Sequence, residues 1–423
     1  MIVKRLLADL ENSAADERAR GAEALARAYL HDDLSEMELL DAETALTALL
    51  DDPVLAVRRA IARILGSSRN APAHVIAALA SDHSLVAGRV LTHSPLLSDD
   101  DLIEALGVAD SYAQVAIALR PGLSSKVAAI IAAVGGRESM IALAVNESAL
   151  LEEAEMLVIL ERHGTDGEVR EALLGRSHLP APIQTAIATL TAAALEQFAT
   201  RTGWLGPQRS ERCTREAREL TIIEIAAQEF ARTETLPVAL AAQLRDNGQL
   251  TPSLLLKALL CGERSLFEAT LAMLSGIAIR RVSGLARAWS GAGFAALYAR
   301  AGLPAGLLSA FRAALSALDD TGITTEPGEP LQLSGVLIER TLTACERVPS
   351  PELREVTALL HRLRAEALRQ EARAVSADMI EHARTAMLEA PADSHAAGAR
   401  IAPQIDLEAI EAAILPRDED IAA

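Results

Sequence analysis

The sequence predicts an all-α protein: an α-solenoid of stacked helical hairpins, then a second helical domain and a C-terminal helix with a flexible tail. Three observations predict it. About a fifth of the 423 residues are alanine and only 2% are aromatic. Alanine is the best helix former and gives a sheet almost no packing surface, so a large β protein is excluded. Apolar mid-helix residues recur as Ile61, Leu91, Ile117, Leu143 and Leu173, spaced 30, 26, 26 and 30 apart. A short polar or glycine turn precedes each of them, and a proline break follows four. Half the chain is apolar and 23% is charged, enough to bury a sizeable core.

Residues 1–50 hold two or three helices, roughly 1–11, 14–30 and 35–50, broken near Asn12 and at Asp32–Ser35. They form the N-terminal cap, because an end unit must show a polar outer face. Glu11, Glu17, Arg18, Arg20, Asp32 and Asp33 supply that face. Residues 51–197 hold five repeating units with related contexts, among them Arg59-Ala-Ile-Ala-Arg63, Arg89-Val-Leu91 and Val115-Ala-Ile-Ala-Leu119. The turns before them are Asp51-Asp52-Pro53, Ser81-Asp82, Ala109-Asp110-Ser111, Gly135-Gly136 and Gly164-Thr-Asp-Gly167. The breaks after them fall at Pro72, Pro95, Pro121 and Pro180, with Asn146-Glu147-Ser148 in the fourth unit. Proline stops one helix, and Asp or Ser caps the next. A two-helix unit of this size cannot bury its apolar face alone, so neighbours must stack.

Residues 201–207, Arg-Thr-Gly-Trp-Leu-Gly-Pro, read as a linker to a second all-α domain at 208–347. Its helices fall near 210–232, 251–260, 265–274, 279–288, 292–301 and 303–318, with left-handed glycine caps at Gly262, Gly276, Gly291 and Gly302. Residues 319–334 read as a loop, followed by a helix over 335–347. The long C-terminal helix occupies 350–390, with Ser350 as N-cap and an apolar stripe of Leu353, Val356, Leu360, Leu363 and Ala367 that docks on the body. Residues 391–423 give a linker, a short amphipathic helix at 405–415 and an acidic tail.

Composition narrows the function classes. The N-terminus lacks a signal-peptide h-region, and the longest uncharged stretch, 177–195, contains two prolines and three threonines, unlike a membrane span. The expectation is a soluble, cytoplasmic protein. A net charge of −18 opposes nucleic-acid binding, which needs a concentrated basic surface. Cys213, Cys261 and Cys345 have no disulfide or zinc spacing. His83 and His93 beside Asp82 have metal-ligand chemistry but read as solvated turn histidines. Phosphate-loop, dinucleotide and serine-hydrolase motifs do not occur, and acid pairs such as Glu152-Glu153 read as solvated faces. Gly291-Ala-Gly-Phe294 reads as a cap or a close helix contact. No catalytic, cofactor or metal residue is expected.

The candidate partner-binding residues are arginines. Arg209, Arg212, Arg215 and Arg218 recur every third residue, interleaved with Glu211, Glu216 and Glu219, and predict the i,i+4 pairs Arg212–Glu216 and Arg215–Glu219. Arg59 and Arg89 occupy equivalent places in the repeats, a partial arginine row that Val115 breaks.

The chain resembles the bacterial DUF2336 family, through Asp52-Pro53 with Val57-Arg-Arg-Ala60, Ser94-Pro-Leu-Leu-Ser-Asp-Asp-Asp-Leu-Ile103 and Arg120-Pro-Gly-Leu-Ser124. In the second domain the resembling segments are 250–262 and 291–304. Asn146-Glu147 departs from the family's Asn-Pro. The resemblance implies that the five units are HEAT-like α-repeats and brings no activity, cofactor or catalytic residue.

The expected function is a non-enzymatic scaffold or adaptor that binds another, unidentified protein along the stack, with no small molecule and no membrane involved. The alternatives are a HEAT-like nucleic-acid-binding protein and an enzyme acting on a small ligand. The first needs aromatics in a basic groove, whereas Trp204 and Trp289 fall outside the repeats.

Overall fold

Alanine-rich segments punctuated by caps become short helices, and their apolar sides decide how the helices stack. The computed structural model describes residues 13–31, 34–235, 237–323, 331–346 and 353–389, and among them it holds twenty-one α-helices and no strand. The expected helix at 1–11, the Ser350-Pro351 cap and everything expected of 391–423 lie outside the described residues.

The first twelve helices alternate between two layers. One layer is α1 (Ala15–His31), α3 (Leu55–Leu65), α5 (Ser84–His93), α7 (Ser111–Ala118), α9 (Arg137–Val145) and α11 (Gly167–Leu174), each packed on the next. The other is α2 (Glu36–Leu49), α4 (Ala73–Ala80), α6 (Asp99–Val108), α8 (Ser125–Val134), α10 (Glu153–His163) and α12 (Ala181–Arg201), in which α6, α8, α10 and α12 pack in succession. The five anchors Ile61, Leu91, Ile117, Leu143 and Leu173 lie on α3, α5, α7, α9 and α11, and each is at most 1% exposed.

The starts of these helices use the turn residues. Ser98 accepts from Asp101 N at the head of α6 while the Asp101 carboxylate takes the Ser98 N–H. Asp110 accepts from Ala113 N at 2.9 Å on α7, and Ser124 from Val127 N at 3.3 Å on α8. Each such cap satisfies one of the four donors that a helix start leaves bare.

The ends are handled by the neighbouring repeat. Arg120, just past α7, donates to Leu91 O at 2.9 Å and to Ser94 O at the end of α5. Asn146, just past α9, donates to Ala118 O and Arg120 O, both at 2.8 Å, at the end of α7. Arg176, just past α11, donates to Ala144 O and Asn146 O at 3.0 Å and to Ala149 O at 3.2 Å. Arg120, Asn146 and Arg176 occupy the same place, three residues beyond the anchors Ile117, Leu143 and Leu173. In the other layer Arg162 of α10 does the same for α8, donating to Ala132 O at 2.6 Å and Gly135 O at 3.0 Å.

At the opposite ends of the helices carboxylates hold the steps α1–α3, α3–α5 and α9–α11, the last of which also has Arg176 at its other end. Arg18 of α1 grips Asp52, ahead of α3, at 2.7 and 3.1 Å. Arg58 of α3 grips Asp82, ahead of α5, at 2.6 and 2.8 Å. Arg137 of α9 grips Asp166, the N-cap of α11, at 2.5 Å. The Arg18 guanidinium and the Val54 N–H outweigh burial and hold the Asp52 carboxyl below its usual range. Burial raises Asp82, but Arg58 and the His83 N–H outweigh it and hold that carboxyl low as well.

The remaining helices are α13 (Pro207–Thr233), α14 (Val238–Asp246), α15 (Pro252–Leu260), α16 (Ser265–Ser275), α17 (Ile279–Arg287), α18 (Ala292–Arg300), α19 (Leu308–Thr321), α20 (Gly335–Glu346) and α21 (Leu353–Glu389). α12 and α13 form an antiparallel-length hairpin of two long helices, joined through residues 202–206. α12 also ties two cores together: Ile183 and Ile187 belong to the core of the repeats, Ala181 to the core that continues to Ala367. That second core gathers Phe267, Phe294, Tyr298 and Phe311, with the Phe267 and Phe311 rings stacked 5.2 Å apart. Residues 353–367 of α21 close it with Val356, Leu360, Leu363 and Ala367.

The described residues up to Ala367 make one compact unit and those from Leu368 on belong to a second. In the second, α21 continues with Leu368, Val375, Met379 and Ile380 exposed.

Local details depart from the sequence reading. Gly291 sits at φ −75° as the N-cap of α18, not as a left-handed cap; Gly262, Gly276 and Gly302 are left-handed. Gly293 is the close contact: a Cβ there would lie 2.8 Å from Leu285 Cδ2. The helix expected at 303–318 is a 3-10 turn, Ala305–Leu307, followed by α19, which runs on to Thr321.

Two expectations follow. Replacing Asn146→Ala strands two carbonyls, and denaturant melts should show a loss of about 1–3 kcal/mol with an unchanged m-value. Asp52 and Asp82 have folded pKa values below their unfolded ones, so their stabilisation is complete above about pH 4 and is lost as the pH falls through the lower folded values. In acid titrations Arg18→Gln and Arg58→Gln should flatten that loss.

Candidate functional site

The layer of odd-numbered helices turns one equivalent set of positions outward. Two residues before each anchor stand Arg59, Arg89, Val115, Ile141 and Glu171; two residues after stand Arg63, His93, Leu119, Val145 and Gly175. All of them but His93 line two grooves. A groove of about 420 Å³ over α3, α5 and α7 is lined by Arg59, Arg63, Arg89, Tyr112, Val115 and Leu119. One of about 370 Å³ over α9 and α11 is lined by Ile141, Val145, Glu147, Glu168 and Glu171. The lane therefore runs from basic through apolar to three carboxylates, which share their groove with Arg176. Tyr112 lies over Gly88, where a Cβ would come within 2.8 Å of its ring, so only glycine lets the ring settle on α5.

Arg59 and Arg89 share this groove, both exposed and with no hydrogen bond or ion pair among the described residues. Arg63 pairs with Glu23, which also takes Arg27. At the far end Glu168 is held by Arg137 at 2.6 Å. Burial, then Arg89 and Arg120, lowers the pKa of His93 and favours its neutral form.

The arginines of α13 do not make one surface. At about 100° per residue, three-residue steps leave Arg218 about 180° from Arg209. Arg209 is exposed; Arg212 reaches Glu216 at 3.9 Å. Arg215 takes Glu211 at 3.6 Å in place of the expected Glu219. Glu219 is drawn away to Lys257 at 3.1 Å. Arg218 turns into a cleft, where its Nε is shut from solvent with no acceptor.

That cleft, about 610 Å³, lies between the long hairpin α12–α13 and the end of α11. Ile187, Ala188, Thr191, Ala192 and Leu195 of α12 face Thr214, Ala217, Arg218, Thr221 and Ile225 of α13, with Leu174 at one wall. Leu174 and Leu195 are 55% and 57% exposed. Beyond them Phe198 meets Trp204 edge-on at 5.2 Å.

The described residues also hold a buried charge cluster. Lys257, 2% exposed, sits 3.1 Å from both Glu219 and Glu366, joining α13, α15 and α21. Burial would lower the Lys257 pKa, but the two carboxylates outweigh it and raise it. Glu366 is raised by burial and by Glu216 and Glu219, which together exceed the pull of one lysine. Lys257 lies in an apolar run whose Leu254, Leu255, Leu256, Leu259 and Leu260 are all buried. Burial pushes the Cys261 thiol up to about 12 and the Cys345 thiol up to about 11, which leaves neither as a thiolate near neutral pH.

The residues weighed for a metal have other occupations. Asp82 is gripped by Arg58, and His83 caps α5 by accepting from Leu85 N at 3.2 Å. Among the described residues no three His, Cys, Asp or Glu converge on a metal position, and no helix is long and apolar enough to cross a membrane.

A family profile described as an uncharacterised protein conserved in bacteria, DUF2336, matches residues 86–350. The chain belongs to the DUF2336 family. The match takes in Arg89 and the lane from α7 onward, the whole cleft, and Lys257 with Glu219; Arg59 and Glu366 fall outside it. No curated protein and no solved structure matches the chain.

Breaking the buried DUF2336 charge cluster should be costly. Lys257→Ala leaves two carboxylates facing each other, and a loss of roughly 3–5 kcal/mol is expected by equilibrium unfolding. Lys257→Met combined with Glu219→Leu and Glu366→Leu should recover most of it.

Proposed function

We propose that this chain is a non-enzymatic, cytoplasmic scaffold or adaptor, a HEAT-like α-solenoid that binds another protein along the exposed lane of its odd-numbered helices. The observation that carries the reading is the lane itself: one set of equivalent positions on five successive helices, with Arg59 and Arg89 unpaired at one end, apolar side chains in the middle and carboxylates at the other. Stacked repeats offer an extended surface that a peptide or helix can follow. An unpaired arginine on a scaffold of closely paired ones is available to a partner's carboxylate, where a bidentate contact gives specificity. The net charge of −18 fits a protein partner better than a polyphosphate one.

The test is affinity purification from the native bacterium with the full chain as bait. A stoichiometric partner is expected, and Arg59→Glu/Arg89→Glu should reduce its recovery at least tenfold with no change in melting temperature. Absence of any stoichiometric partner, or undiminished recovery by the double variant, contradicts the reading.

A further inference from the structure

A second surface stands apart from the lane. The cleft between α11, α12 and α13 is elongated. On α12 its lining runs from Gln184 to Leu195 and on α13 from Cys213 to Gln228, which at about 1.5 Å per residue is about 16–22 Å. That is the length of a helix of roughly 11–15 residues. Its floor is small: Ala188, Ala192 and Ala217, with threonines beside them. Small floor residues let a third helix axis approach to the usual packing distance of about 8–10 Å. The taller walls, Leu174 and Leu195, are more than half exposed and would be covered by such a helix. An acyl chain, far narrower than a helix, would leave these walls wet.

The cleft also specifies a charge. Arg218 is the one arginine of its series that turns inward, and its Nε is shielded from water without an acceptor. A buried donor left unmade is expensive, so the site favours an occupant that brings one. The acid next to it in sequence, Glu219, is already committed to Lys257 at 3.1 Å. Glu224 lines the cleft six residues on, about 9 Å along the axis, and there an occupant would meet negative charge.

We propose that this cleft is the dock for an amphipathic helix of a partner protein, seated by an apolar stripe and by a carboxylate that pairs with Arg218. The stripe repeats at i, i+3 or i+4, i+7 and i+11, the spacing that matches the lining of α12. The carboxylate sits about a third of the way along the stripe, toward the Leu195 end, and any basic residue lies about two turns away, toward Glu224.

The experiment is selection of a displayed library of 16-residue peptides against the full chain, with Leu195→Asp as counter-selection. Enriched peptides should show the helical stripe and an Asp or Glu about a third of the way along it. They should bind Leu195→Asp at least tenfold more weakly. Arg218→Glu should move the enrichment to Lys or Arg at the same position, and Arg218→Gln should abolish the charge preference while leaving the fold unchanged by circular dichroism. Enrichment without the stripe, an acid preference that survives Arg218→Glu, or no enrichment overturns the proposal. So does concentration-dependent dimerisation that Leu195→Asp removes, which would make a second copy the occupant. So does laurate binding that excludes the peptides, which would make it an acyl anion.

Discussion

A helix that stops inside a stack ends on carbonyls with no partner of their own, and water cannot reach all of them. In this protein the next repeat supplies the donors. Arg120, Asn146 and Arg176 each reach back across a layer to the last carbonyls of the preceding helix. The rest of the stack depends on this arrangement, because it fixes direction and register together. Apolar packing of alanine-rich helices is nearly featureless and tolerates sliding. A guanidinium or amide that must meet two named carbonyls does not.

The starts of the helices complete the constraint. Arg18, Arg58 and Arg137 hold the carboxylates that precede the next helix in the layer. Where the arginine is missing the step uses other groups: the Gln114 side chain accepts from Gly136 N at 3.0 Å between α7 and α9. With every step held at one end at least, and α7–α9 and α9–α11 at both, equivalent residues fall into rows. The rows outside the core are then free to vary in chemistry, and they do, from arginine to valine and isoleucine to glutamate. The register that keeps the core closed is thus the same one that assembles the lane.

Much of the architecture was legible in sequence because it is local. Ser98, Asp110 and Ser124 cap helices where their residue types and positions say they should. The mid-helix anchors are buried as their spacing requires. What was not legible is what depends on partners far along the chain. Arg120 shows in sequence as the residue before a proline and Asn146 as the break of the fourth unit, neither of which announces a donor to another helix, and Arg176 does not show at all. Arg58 and Asp82 are 24 residues apart and meet only after stacking. For the sites, the paired placement of Arg59 and Arg89 could be read from the repeat. The break at Val115 reads as an interruption, and on the structure it is where the apolar part of the lane begins. The scatter of Arg209 to Arg218 around α13 follows from the helical angle alone, whereas the diversion of Glu219 to Lys257 does not. Two signals were available and pointed elsewhere. The uncharged stretch 177–195 speaks against a membrane span, yet its Ile187, Ala188, Thr191 and Leu195 wall a cleft. Lys257, a lone cation in the run Leu254-Leu-Leu-Lys-Ala-Leu-Leu260, marks a buried ion cluster that a family comparison could not explain.

The central claim is that repeats tied to one another by end contacts place equivalent positions in one evenly stepped row. Pulsed electron-spin resonance on labelled cysteine pairs measures this directly. Adjacent packed helices lie about 8–10 Å apart, so labels at 59 and 115, 89 and 141, and 115 and 171 should all give narrow distributions near 20 Å, and labels at 59 and 141 one near 30 Å. Unequal two-step distances, or broad distributions along the row, would contradict the account.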